Sequence, residues 1–209
     1  SVDKYHFNEG HAAFAGFELI KEKINSGLSF EQALEKTRPE VVFTTHTPVK
    51  AGNEIHELEL LKKMGANNTL SDEELNKIGG SPFNMTAACL RMAGIANGVS
   101  RLHGITANKM WAELEKKAPI IHITNGVHKK TWQKKEIHQA FKEKNNLISP
   151  HNILKERLIK YVAEKTGARL EKDKLIIGFA RRAAPYKRSE LIFRNTEKIN
   201  KLLKNKTIQ

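Results

Sequence analysis

The chain has few of the residues that mark secreted or membrane proteins. One cysteine, Cys89, cannot form an internal disulfide, which is typical of proteins in a reducing cytoplasm. Its longest apolar runs, such as Leu175 to Ala180, fall far short of the ~18 residues of a membrane span. The first residues show neither the basic nor the apolar region of a signal peptide. We therefore expect a cytoplasmic protein that is not inserted in a membrane.

Several common catalytic motifs are also missing. The nine histidines do not form His-Glu-x-x-His or repeat at the helical spacing of metal ligands, so we expect no metal site. The chain has no Gly-x-Ser-x-Gly, no Gly-x-Gly-x-x-Gly and no Walker loop, which argues against a serine hydrolase, a dinucleotide enzyme and a P-loop enzyme. Cys89 follows helical apolar spacing, where a free cysteine is more often a core residue than a nucleophile.

Basic residues outnumber acidic ones, 36 to 23, which gives a formal net charge of +13. This excess favours anionic partners, either nucleic acid or phosphate compounds. Aromatic residues make up 7% of the chain, and the main basic cluster contains a single one, Tyr186. Binding of single-stranded nucleic acid relies on aromatics between the cations, so a non-catalytic nucleic-acid-binding module stays only as an alternative.

Strand-like and helical patterns alternate along the chain, which predicts an α/β fold with a mostly parallel sheet. The strand-like runs are Val41 to Thr45, Ala96 to His103, Pro119 to Thr124 and Leu175 to Ala180. The helical runs are His11 to Lys23, Met85 to Ala96, Ser149 to Gly167 and Ser189 to Lys204. A short helix before Gly79-Gly80 has a capping box formed by Ser71 and Glu74. We predict that Ser149 caps the helix that runs to Gly167.

The run from Ile176 to Arg188 predicts an anion site at a strand end. An apolar segment breaks at Gly178, and four cations follow within one turn. A guanidinium and an ammonium suit a phosphate, so we select Arg182 and Lys187. A helix opening at Lys187 would add backbone N–H groups and the positive end of its dipole.

Polar loops follow other predicted elements. Asn8-Glu9-Gly10-His11 precedes a helix, where a helix cap explains it as well as a ligand does. Thr44 to Pro48 ends a strand, where His46 is either a catalytic group or a turn residue. The segments from Asn97 to Gly104 and from Ile123 to His128 contain Asn-Gly turns beside histidines. Together these loops suggest a site for a polyhydroxylated substrate.

The order and wording of these motifs resemble the α-glucan phosphorylases, the family of glycogen, starch and maltodextrin phosphorylases, and most closely its shorter prokaryotic branch. The resemblance covers nearly the whole chain, which looks like an internal part of such an enzyme. It rests on these segments: Asn8 to His11, Phe43 to Thr47, Ala96 to Gly104, Ile123 to His128 and Gly178 to Arg188.

The resemblance implies Rossmann-like parallel-sheet parts of a two-domain glycosyltransferase-B fold. Residues 1–135 would be the later part of the N-terminal lobe, 136–170 a linker and connecting helix, and 171–209 the first strand and helix of the C-terminal lobe. Such enzymes split α-1,4-glucans reversibly with orthophosphate and release glucose 1-phosphate with retained configuration. Their cofactor, pyridoxal 5′-phosphate, acts through its phosphate. Glucan, orthophosphate, glucose 1-phosphate and the rest of the enzyme are thus the implied partners, and a homo-oligomer stays open.

By the same resemblance, Arg182 and Lys187 would hold the substrate and cofactor phosphates, and His46 would border the glucosyl site. Asn125 would bind a sugar hydroxyl, with Glu9, His11 and His103 near the glucose and cofactor pocket. Other branches carry aspartate at the position of Glu9 and His-Glu at Ala184-Pro185. The lysine that forms the Schiff base with pyridoxal has no equivalent here, so the isolated chain is expected to be inactive.

Two further interpretations stay open. A nucleotide-sugar glycosyltransferase such as a glycogen synthase has a similar architecture and a similar arginine and lysine pair. The Thr-x-His-Thr and Thr-Asn-Gly motifs favour the phosphorylases over it. The chain could also be a stable folded core without activity of its own, which is compatible with the main interpretation.

Overall fold

The computed structural model describes residues 2–205 and 207–209. The chain divides into two compact units, one up to Gly126 and one from Val127. Within the described residues, no helix combines the length and the apolar character needed to cross a membrane.

The first unit contains six strands and six helices in its described part, and 3₁₀ turns lie between some of them. In chain order they are β1 (Tyr5–Asn8), α1 (Ala13–Asn25), α2 (Phe30–Thr37), β2 (Val41–Thr45), β3 (Ile55–His56), α3 (Leu58–Lys63), α4 (Asp72–Gly79), β4 (Phe83–Asn84), α5 (Met85–Met92), β5 (Ile95–Gly98), α6 (Arg101–Met110) and β6 (Ile120–His122). Four strands form a parallel sheet in the order β1-β2-β5-β6, which confirms the predicted α/β class with a parallel sheet. The small strands β3 and β4 pair antiparallel.

The two faces of the parallel sheet differ. One face carries Phe7, Val41, Phe43 and Ala96, which are at most 3% exposed and belong to the core with residues of α1 and α5. Fully burying a side chain such as Phe43 contributes about 1.5–3 kcal/mol. The other face carries His6, Thr44, Asn97 and the isoleucines at 95 and 121, because side chains alternate along a strand. Ile95 and Ile121 are 39% and 45% exposed, so this second face is partly accessible in the described part of the chain, and we call it the open face.

Side-chain caps explain where several helices begin. The predicted capping box of α4 is confirmed, since the Ser71 hydroxyl accepts the N–H of Glu74 and the Glu74 carboxylate accepts the N–H of Ser71. The helix ends at Gly79 and is followed by Gly80, whose φ of 83° suits glycine. A second capping box, Ser29 with Gln32, opens α2.

The predicted strand from Ala96 to His103 is wrong in its second half. Strand β5 ends at Gly98, and α6 begins at Arg101. The Ser100 hydroxyl caps this helix by accepting the N–H of His103 at 3.1 Å. An N-cap at this position overrides the apolar pattern that suggested a longer strand.

The described part of the second unit is mainly helical. Its helices are α7 (Lys129–Trp132), α8 (Lys135–Lys142), α9 (Ile148–Thr166) and α10 (Thr196–Lys204). Helix α9 ends at Thr166 and is followed by Gly167 with φ 75°, as expected for a glycine stop. Its start differs from the prediction: Leu147 is the N-cap and Ser149 lies inside the first turn. The Asn146 side chain accepts the N–H of Ile148 at 2.8 Å, which explains the earlier start.

The predicted strand from Leu175 to Ala180 is reduced to a bridge. Leu175 pairs with Ile208, and the N–H of Ile177 donates to the carbonyl of Gln209 at 2.9 Å. Residues 176–182 are otherwise irregular. A strand needs neighbours along its length, and the three residues from Thr207 to Gln209 provide only a short one. The predicted last helix is also divided, into a 3₁₀ turn at Ser189–Phe193 and α10.

Candidate active site

The carboxyl ends of β1, β2, β5 and β6 meet at one edge of the parallel sheet, where ligands bind in open α/β folds. The loops that follow these strands carry Glu9, His46 and Asn125. His46 and Asn125 line the same open cavity of about 510 Å³ on the open face. The structure therefore brings together two of the residues selected from separate motifs.

His46 is held at both its backbone and its side chain. Its ring Nε2 donates to the Oδ1 of Asn8 at 2.6 Å. Its backbone N–H donates to the Oε1 of Glu9. The neighbouring Thr47 hydroxyl donates to the Oε2 of Glu9 at 3.0 Å. The carboxylate of Glu9 thus contacts the loop after β2 with both of its oxygens.

His103 is buried at the start of α6, with 8% of its surface exposed. The N–H of Val99 donates to its Nδ1 at 3.1 Å, so that nitrogen carries no proton. The Nε2–H in turn faces the carbonyl of Thr47 at 3.4 Å. These contacts fix one neutral tautomer of the ring, and they occupy both nitrogens.

His11 lies in the 3₁₀ turn Gly10–Ala12 that leads into α1, and its side chain is exposed. It is outside the set of residues that line the cavity. Its assignment to the glucose and cofactor pocket stays a prediction.

Other cavity residues were missed in the sequence. A row of hydrogen bonds crosses three strands: the Nε2 of His6 donates to the Thr44 hydroxyl, which donates to the Oδ1 of Asn97, both at 2.8 Å. His6 was missed because strand β1 was not predicted. The alternation of Tyr5, His6, Phe7 and Asn8 was a usable signal, although four residues are a short pattern.

Arg182 and Lys187 belong to the second unit. Arg182 is exposed in the irregular segment after Leu175, and Lys187 is half-buried. The ammonium of Lys187 lies 4.7 Å from the centre of the Tyr186 ring. Lys187 ends the 3₁₀ turn Pro185–Lys187 and does not open a helix, so no helix dipole is expected there. The joint action of these cations with His46 stays a prediction.

Cys89 lies fully buried on α5, as expected for a core residue. Burial raises the pKa of its thiol well above the usual range, and the charge of Glu9 raises this pKa further. The Sγ–H of Cys89 points at the carbonyl of Gly10 at 3.7 Å. This thiol is thus structural. Among the described residues, no group of three histidine, cysteine or acidic side chains could hold a metal.

The fold and this edge define an α/β unit with a polar site beyond the carboxyl ends of a parallel sheet. Comparison with known proteins shows which proteins this chain is similar to. The chain is 32% identical to a maltodextrin phosphorylase of Thermococcus litoralis over 96% of its length, and 32% identical to a glycogen phosphorylase of Mycobacterium tuberculosis over 95%. It is 36% identical over its full length to an uncharacterized protein of Methanocaldococcus jannaschii. No family model matches the chain.

These comparisons confirm the resemblance to the α-glucan phosphorylases that the motifs predicted. The chain spans 29% and 30% of the two named phosphorylases and 39% of the M. jannaschii protein. It is similar to about a third of such an enzyme.

Proposed function

We propose that this chain is part of an α-glucan phosphorylase, which splits α-1,4-glucan reversibly with orthophosphate and releases glucose 1-phosphate with retained configuration. One observation carries the proposal. His46 and Asn125 come from two motifs of that family, 79 positions apart in the chain, and line one cavity at the carboxyl edge of the sheet. Proteins named glycogen and maltodextrin phosphorylase match nearly the whole chain, which supports it.

In this proposal the first unit holds the sugar. The Asn125 side chain donates to or accepts from a glucose hydroxyl. The backbone carbonyl of His46 faces the positive charge that develops on the sugar in the transition state, and a fixed dipole there lowers the barrier. Glu9, His11 and His103 would lie near this pocket.

The second unit holds phosphate. Arg182 offers a planar fork of N–H donors and Lys187 a compact positive charge, a donor set that suits a phosphate dianion. Lys187 is half-buried, and its ammonium lies 4.7 Å from the centre of the Tyr186 ring. The same donor set fits the phosphate of pyridoxal 5′-phosphate, which supplies a proton donor and acceptor next to the substrate phosphate when it is bound. Both cations would therefore neutralise two adjacent phosphates.

The proposal extends to the architecture. Residues 1–135, 136–170 and 171–209 would be the later N-terminal lobe, the connecting segment and the first part of the C-terminal lobe of a glycosyltransferase-B fold. The partners would be glucan, orthophosphate, glucose 1-phosphate and the remaining segments of the enzyme, in the cytoplasm. We expect the 209 residues alone to be inactive, because the Schiff-base lysine of the family has no equivalent among them.

The test is phosphorolysis by the enzyme that carries this chain. With maltodextrin and orthophosphate, we expect glucose 1-phosphate, and replacing Lys187 by Ala should lower kcat by about 100-fold or more, as for loss of one transition-state donor. Lys198→Ala, an exposed lysine on α10, is the matched control and should leave kcat unchanged. Glucosyl transfer from ADP-glucose or UDP-glucose without any response to orthophosphate would instead identify a nucleotide-sugar glycosyltransferase.

A further inference from the structure

The segment of His46 and Thr47 is fixed at four points by groups from other elements. Two of the contacting residues lie at and just after the end of β1, 37 or 38 positions earlier in the chain, and one lies near the start of α6, 56 positions later. We propose that Asn8, Glu9 and His103, here called the clamp residues, are positioning residues that set the orientation of the His46–Thr47 peptide. This inference rests on the proposed function and changes the role expected of Glu9 and His103 from sugar binding to support.

Glu9 is the central clamp residue. One carboxylate oxygen accepts the N–H of His46, and the other accepts the Thr47 hydroxyl. Hydrogen bonds to an ionised acceptor are about twice as strong as neutral ones. Because one carboxylate contacts both residues, it holds the segment before and after the peptide bond that joins them.

The backbone at Glu9 is in a conformation that favours glycine. Its φ is 71°, which is uncommon for a residue with a side chain and strains the backbone. The surroundings impose this turn. The Glu9 N–H donates to the carbonyl of Thr44 at 2.9 Å, and Gly10 lies so close to α5 that a Cβ there would be 2.9 Å from that of Met85. Strain at a residue that also contacts the candidate site is consistent with a functional requirement.

Asn8 and His103 complete the clamp. Asn8 accepts the ring Nε2–H of His46 and so fixes the orientation of that ring. His103 faces the carbonyl of Thr47, and its ring cannot turn without losing the N–H of Val99. The His46 ring, the His46 N–H and the Thr47 carbonyl are therefore each held by a group outside the segment.

This arrangement has a catalytic consequence. The carbonyl of His46 belongs to the planar peptide between His46 and Thr47. The clamp residues hold the His46 N–H before this peptide and the Thr47 hydroxyl and carbonyl after it. The clamp residues therefore set the direction of the His46 carbonyl, and this direction does not depend on a bound sugar. A displacement of about 1 Å at a reacting centre lowers rates by about 100-fold. Losing Glu9 should therefore weaken transition-state stabilisation more than substrate binding.

The experiment compares three variants in the enzyme that carries this chain. Glu9→Gly removes both carboxylate contacts and is suited to the φ of this position, so it should fold, which thermal unfolding checks. We expect kcat to fall about 100-fold with little change in KM for maltodextrin. Thr47→Val should lower kcat less, and the double variant should be no slower than Glu9→Gly, because both remove the same support. Glu22→Gln, on the exposed side of α1, is the control and should match the wild type.

A second readout does not depend on activity. In the NMR spectrum of the 209-residue chain, the amide proton of His46 should lie at low field and move to higher field in Glu9→Gly but not in Glu22→Gln. A rise in KM with unchanged kcat in Glu9→Gly would make Glu9 a sugar ligand and overturn the proposal, as would an unmoved His46 amide. If the wild-type enzyme makes no glucose 1-phosphate, the proposed function fails, and the amide shift still decides whether the clamp exists.

Discussion

At the residue scale, the approach of α6 to the sheet depends on two glycines that meet back to back. A Cβ on Gly98 would lie 2.9 Å from the backbone nitrogen of Gly104. A Cβ on Gly104 would lie 2.9 Å from the Cβ of His122. The nearest atoms at Gly98 are backbone atoms, which cannot move away as a flexible side chain can. The contacts of His103 depend on this close packing, since His103 precedes Gly104 in the same turn of α6.

We predict that Gly98→Ala destabilises the first unit by about 1–3 kcal/mol, because the added methyl forces α6 away from β5. Urea unfolding followed by circular dichroism measures the change. Gly126→Ala is the control, since nothing lies within 4 Å of the position of its Cβ and its φ is not left-handed. It should change stability by less than about 0.5 kcal/mol. Equal effects of the two substitutions would contradict the packing argument.

Much of the candidate site was predictable at this scale, but its internal contacts were not. The positions of His46 and Asn125 in loops that follow strands could be predicted from apolar runs that stop at polar residues. Both carboxylate oxygens of Glu9 accept hydrogen bonds from His46 and Thr47, which are 37 and 38 positions away. These contacts depend on the pairing of β1 with β2. That pairing was not predicted, and no local pattern around Glu9 encodes it.

At the element scale, helix starts are the best test of how local chemistry sets local structure. Ser71 caps α4 with its hydroxyl, whereas Ser149 lies within α9, whose N-cap is Leu147. Both serines precede an acceptable helix sequence. The difference lies in what else is near the helix start, because Asn146 already accepts the N–H of Ile148.

We therefore predict opposite results for two alanine substitutions. Ser71→Ala should cost about 1 kcal/mol, as expected when an N-cap side chain is lost. Ser149→Ala should be neutral or slightly stabilising, because alanine is the better helix former in a helix interior. Urea unfolding of each variant measures the difference. A cost of similar size for Ser149→Ala would show that α9 begins where the sequence alone suggested.

Two apolar runs show how much a predicted strand depends on partners inside the chain. The run from Val41 to Thr45 lies between two other strands, and the structure has β2 over the same residues. The run from Leu175 to Ala180 has an equally apolar pattern, but among the described residues it pairs only with those at 207–209. Phe179 and Ile177 of that run are 56% and 46% exposed. The pattern encodes a buried strand, but the pairing it needs is not encoded locally.

At the scale of the whole molecule, the two units differ in the size of their cores. In the described part of the second unit, two apolar residues are buried, Ala140 and Ile199, and every residue of α9 is half-buried or exposed. The first unit has a contiguous core that includes Phe17, Phe43 and Phe83. Buried apolar area is the main favourable term in folding, so the units should differ in stability.

We predict that hydrogen exchange in the 209-residue chain separates the two units. Backbone amides of β2 and α5 should exchange only through global opening of the first unit, whereas amides of α9 should exchange much faster. Mass spectrometry of peptides covering these three elements gives the comparison. Equal protection of α9 and α5 would contradict the difference inferred from the cores.

The strand order β1-β2-β5-β6 has one more consequence. Each strand of this sheet lies next to the one before it, always in the same direction. Right-handed connections of this kind place all their helices on one face of the sheet, so these helices do not cover the face with His6, Thr44 and Asn97. Parallel sheets of soluble proteins are normally layered on both sides. Any layer that covers this side must match the imidazole and amide groups with its own donors and acceptors. Each mismatch would cost about 1–3 kcal/mol, so this row of polar groups selects which neighbour can pack there.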